Sequence, residues 1–198
     1  MKDEIKKLDD MILFLKSFMD SIYKSYGTLS REVVFSAMVI KKTIDILETA
    51  KFTLKNYIIS VQISLMRLLC DNAIAIESVN ELGLEKVMDM INNNIQVNTV
   101  MVDEEQNMSD GYLKRKVSER YRGFDRLYRF ASSGVHFSKT AIGGAFYEDK
   151  DGKIVMNVDC GNKELKKEII ENNGRLITLS KVIVDMLKNI VTTKKKKK

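Results

Sequence analysis

Side chains suited to handling a phosphate recur within one short stretch: Arg122, Arg126, Arg129, Ser133 and His136, the only histidine of the chain. On a helical wheel advancing about 100° per residue, the last four fall within roughly 40° of Arg122. Phe124, Leu127, Tyr128, Ala131 and Val135 collect on the opposite side. Metal-independent cleavage of RNA needs a group to take the proton from a 2′-hydroxyl and a cation to hold the charge building on the phosphate. His136 has the right titration range for a base, or for the acid that protonates the leaving oxygen. Arg129 suits the phosphate because its planar fork grips two oxygens at once. Ser133, one turn before His136, is placed to orient either group. Arg122 and Arg126, with Arg115 further upstream, would hold the nucleic-acid backbone. The same residues also describe a solvated basic helix face with a histidine packed at its end.

At these residues the chain resembles the HEPN superfamily, small helical bundles that include ribonuclease toxins and phage-defence effectors. Its hallmark is an arginine followed several residues later by a histidine on a late helix, and Arg129-Phe-Ala-Ser-Ser-Gly-Val-His136 fits the long end of that spacing. The run from Tyr128 to Ser138 is similar to a HEPN-like group with a tyrosine, a serine and a Val-His pair. That group also carries an arginine and a nearby acid on an apolar central helix, which Arg67 and Asp71 would supply. The resemblance implies RNA as partner, a homodimer in which two Arg129–His136 sets face one cleft, and a defence or stress role. It departs at Phe130, where cleaving members usually carry a polar residue. Some members have lost cleavage, so the alternative is a non-catalytic module whose arginine stripe meets a dimer mate or protein partner.

Arg67 and Asp71 stand four residues apart, a helical ion-pair spacing, and also read as a pair that fixes helix register. Of the net charge of +6, Lys194 to Lys198 supply five, leaving +1 for the body. Seven basic residues against Glu119 and Asp125 give Lys114 to Arg129 a local +5. The remainder is therefore acidic by about four charges, and basicity is local rather than a coat. The lysine tail is too charged to bury and is expected to be disordered. Cys70 and Cys160 form neither a disulfide framework nor a metal-ligand spacing and suit a reducing compartment. Asp149, Asp151 and Asp159 lack the frame of a calcium loop. No phosphate-binding glycine loop, serine elbow or zinc cluster is present. No metal or cofactor is expected. Without a leader pattern, and with Gln62, Arg67, Asp71 and Asn72 inside the most apolar window, the expectation is a cytoplasmic protein without a membrane span.

The elements that must position these residues follow from apolar periodicity. Ile5, Leu8, Ile12, Leu15, Met19, Ile22 and Tyr26 mark a helix ending at Gly27. Val33, Ala37, Ile40, Ile44 and Leu47 mark a second, capped at Thr28 or Ser30. A third, from about Leu54 to Leu82, is apolar nearly all round and belongs at a bundle centre. A shorter helix spans Leu84 to about Asn92. A basic helix is expected from Tyr112 towards His136, with Gly134 interrupting it. A short hairpin around Asp149-Lys-Asp-Gly152 precedes a last helix carrying Leu165, Ile169, Leu176, Leu179, Ile183, Met186 and Ile190. The expected fold is all-α: one domain over residues 1–193, an antiparallel bundle of five to six helices with a small β-hairpin excursion before the C-terminal helix. The tail is 194–198.

Overall fold

The computed structural model describes residues 1–103, 106–135, 146–148, 151–156 and 165–193. Helix α1 runs Lys2–Tyr26 and stops where Gly27 takes φ 68°, donating its N–H to the Tyr23 carbonyl at 2.8 Å. Ser30 caps α2 (Arg31–Lys55) by accepting the Val33 N–H, which satisfies one of the free donors of the first turn. Helix α3 spans Ile59–Leu82 and α4 spans Leu84–Asn92, separated by Gly83. Ser109 caps α5 (Asp110–Arg120), and α6 covers Phe124–Val135. Two three-residue strands, β1 (Phe146–Glu148) and β2 (Ile154–Met156), pair antiparallel before α7 (Lys166–Thr193).

Helix α3 is the hub, packing against α2, α4, α5, α6 and α7. Its Ile63, Met66, Leu69 and Ile76 are fully buried, as are Leu8 and Leu15 of α1, Leu47 of α2 and Leu176 and Leu179 of α7. By length and composition α3 could cross a membrane, with a mean hydropathy of 1.4. In this fold most of its apolar window is buried against neighbouring helices, with Val61 and Leu68 left exposed. Two buried asparagines bond across helices: Asn72 donates to Thr43 between α3 and α2, and Asn173 donates to Glu4 between α7 and α1.

Three expectations need correction. Seven α-helices are present among the described residues, not five to six. The added one arises because the continuous Tyr112–His136 helix does not exist: Gly123 adopts φ 93° and splits it into α5 and α6. The bundle is also not uniformly antiparallel. Glu4 meets Asn173 near both N-termini, while the Tyr26 hydroxyl donates to the Val191 carbonyl near both C-termini, so α1 and α7 run parallel. Between α6 and α7, the strands contribute little to the bundle: Phe146, Ile154 and Met156 are all exposed, with Ile154 at 80%. Boundaries shift too, since α2 continues to Lys55 and Tyr57, at φ 55°, makes the turn into α3.

Candidate nucleic-acid interface

The α5–α6 corner owes its position to two features of the chain. Gly123 supplies the left-handed backbone that turns α5 into α6, a conformation costly for any residue with a Cβ. Tyr121, just before it, donates its hydroxyl to Asp185 of α7 at 2.7 Å, which pins the corner to the bundle. Burial and that bond push the Tyr121 phenol up to about 12. Helix α6 then lies on α3 with Phe124 and Ala131 buried and Leu127 and Tyr128 partly so. Gly134 completes this inner face. A Cβ at Gly134 would fall on the side chain of Ile63, so the two helices approach as closely as they do because glycine stands there. Val135, expected on the same face, is instead 51% exposed.

On the outer side, Arg126 and Arg129 stand one turn apart and exposed. Arg122 is exposed as well but belongs to the turn before α6, so the single-helix stripe is replaced by a corner. Arg129 is 74% exposed and pairs with Asp125 at 2.5 Å, one turn earlier on the same helix. Asp125 also accepts from Lys114 of α5 at 2.8 Å. The bonds from Lys114 and then Arg129 hold its carboxyl below the ordinary aspartate value. The Ser133 hydroxyl donates to the Phe130 carbonyl at 2.8 Å, a bond within its own helix. Phe130 lies under Arg175 of α7, whose guanidinium carbon is 4.7 Å from the ring centroid. The Phe130 ring is partly buried against the core and carries this one contact to α7.

Arg67 and Asp71 form a second cluster one layer inward. Arg67 Nη1 is 2.8 Å from Asp71 Oδ1, and Nη2 is 3.4 Å from Asp110 Oδ2 at the start of α5. The guanidinium carbon sits 4.0 Å from the Tyr128 ring centroid, a cation–π contact on a half-buried ring. Nη1 is itself buried and has no aligned hydrogen-bond acceptor, so the Asp71 contact is an ion pair by distance. Burial raises the Asp71 carboxyl above its ordinary range, with Arg67 opposing the shift. The three charged groups form one wall of a cavity of about 310 Å³ whose other walls include Phe35, Ile74, Val87 and Met108.

Tyr128 links the two clusters, because the Lys114 ammonium also lies 5.3 Å from its ring. Arg67, Tyr128, Lys114, Asp125 and Arg129 thus form one continuous chain of charge and π contacts from the core helix to solvent. Arg115 is exposed on α5, 5.5 Å over the Tyr112 ring. His136, Cys160, the turn residues Asp149 and Asp159 and the lysine run 194–198 lie outside the described residues. Among the described residues, no three His, Cys, Asp or Glu side chains gather as a metal site would require. From sequence, Lys114 and Asp125 entered only a local charge count, and Asp110 was not singled out. Asp125 was within reach of such a reading, as an i,i+4 partner of Arg129, whereas Asp110 meets Arg67 only through the fold. Comparison with protein-family models, curated proteins and solved structures finds no match for this chain.

Proposed function

We propose that this chain is a HEPN-like RNA-binding protein that engages the phosphate backbone at the α5–α6 corner. In this reading Arg129 holds the scissile phosphate and His136 moves the proton, giving metal-independent cleavage in a cytoplasmic homodimer. Arg122, Arg126 and Arg115 position the strand, while Ser133, Arg67 and Asp71 support the site. The observation that carries the reading is the exposure of Arg129, at 74%, with Arg126 and Arg122 exposed beside it. These arginines remain open to a polyanion instead of being spent on the protein's own packing. Asp125 keeps the Arg129 guanidinium oriented, and a phosphate, which takes two N–H donors at once, competes for the fork.

A second reading, a non-catalytic interaction module, draws on a separate observation. Arg129 is already neutralised by Asp125, and Phe130 is a partly buried ring under Arg175 rather than a polar residue. Cleavage assays separate the two. As a ribonuclease, the full chain cuts single-stranded RNA in EDTA and leaves 2′,3′-cyclic phosphate ends. His136→Ala and Arg129→Ala abolish cutting while melting as the parent does. Equal cutting by the His136→Ala protein, or no cutting by any form, leaves the binding module. Loss of RNA affinity in Arg126→Ala and Arg129→Ala then decides whether that module binds RNA.

A further inference from the structure

Helices α1 and α7, running parallel, frame an open groove of about 570 Å³, and none of the residues of the proposed RNA site lines it. Its floor is apolar: Met11 and Phe14 from α1, Ile177 and Val184 from α7. Phe14 is 47% exposed, yet its ring is held by a parallel stack on Phe18 with centroids 6.4 Å apart. The lining positions step by helical turns on both sides, Lys7, Met11 and Phe14 on α1 against Ile177, Lys181, Val184 and Lys188 on α7. Two helical stripes side by side make a seat for a third helix, whose ridge fits the furrow between them. From Ile177 to Lys188 the seat extends about 16 Å, three turns of helix.

The rim is not symmetrical in charge. On α7, Lys181 and Lys188 make no ion pair among the described residues, while Asp185 between them accepts the Tyr121 hydroxyl and keeps its charge, so that edge carries two cations against one acid. On α1, Lys7 is engaged by Glu4, which leaves Asp10 as the open charge. The two free lysines are seven residues apart, the spacing of carboxylates on the same face of a docked helix. We infer that the α1–α7 groove receives an amphipathic helix of a partner protein, apolar towards Phe14 and acidic along the edge that meets Lys181 and Lys188. The apolar floor supplies the affinity, and the lysine edge selects the orientation and rejects a basic helix.

The probe is a fluorescently labelled, designed helical peptide with a leucine stripe and glutamates at seven-residue spacing, titrated with the full chain. Saturable binding is expected, weakened about tenfold or more by Phe14→Ala. The double variant Lys181→Glu, Lys188→Glu should lose the acidic peptide and gain a matching peptide in which lysines replace the glutamates. That exchange of preference is one that a merely unstable protein cannot show. No saturable binding at millimolar concentration, or equal binding of acidic and basic peptides by the parent, overturns the inference. So does a dimer in sedimentation that Phe14→Ala dissolves, which gives the groove to a second copy of this chain. RNA cleavage plays no part in the readout, so this result and that of the proposed RNA site stand apart.

Discussion

Asp125 sets the state of the outer arginine. Its carboxyl is held below the ordinary aspartate value of 3.8 by Lys114 first and Arg129 second. A depressed acid stabilises the fold above its unfolded pKa, and that contribution disappears as pH falls through the lower folded value. Asp125→Asn should therefore be less stable than the parent near neutral pH, and the gap should close under acid. Chemical denaturation across pH checks this. A gap that is constant down to the most acidic point would mean that the ion pairs are not its source. Removing Asp125 also frees Arg129, so RNA affinity should rise in the same variant. Phe130 makes a different kind of contribution. Exchanging it for asparagine puts a polar residue after Arg129 but removes the ring under Arg175. A double-mutant cycle between Phe130→Asn and Arg175→Ala should show a coupling of about 0.5–1 kcal/mol. Additive effects would show that the contact is incidental.

At the scale of elements, the decisive contact is the crossing of α3 and α6. Gly134 in a helix costs about 1 kcal/mol relative to alanine, so propensity alone makes Gly134→Ala a stabilising change. The crossing reverses that sign, because the new methyl meets Ile63 in a packed interface. Overpacking of this kind costs about 1–3 kcal/mol, and a net loss in thermal stability is expected. Combining it with Ile63→Ala should destabilise less than the two single losses added together, since each relieves the other. A glycine inside a helical pattern is visible in any sequence. What it accommodates lies on α3, some seventy positions earlier, and no local pattern reports it. Gly123 is the converse case. Its neighbours continue a basic helical pattern on both sides, so periodicity favours one helix where the fold makes two. The end of α1 at Gly27, a cap for α2 at Thr28 or Ser30 and the span of α4 were legible, because caps and left-handed stops act within a few residues of themselves.

Across the whole molecule, basic charge is concentrated at the α5–α6 corner on a body that is otherwise slightly acidic. If three arginines there contact phosphates, the logarithm of single-strand RNA affinity should fall with log salt at a slope of roughly −2, about −0.7 per contact. Arg122→Ala, Arg126→Ala and Arg129→Ala should each flatten the slope by about one contact. Slopes unchanged in all three would remove the corner as the binding surface. Composition and periodicity determined that the chain is helical, that α3 lies at its centre, and that arginines gather shortly before a lone histidine. Those are local quantities, fixed by how often apolar and charged residues recur along a few turns. Tertiary structure alone decided that α1 and α7 run parallel and leave a groove between them. It also decided that Arg67 takes Asp110 and the Tyr128 ring as partners, and that Phe130 belongs to Arg175. Such contacts join residues from 43 to 169 positions apart, and which of them form depends on how the buried stripes of all seven described helices fit around α3 together.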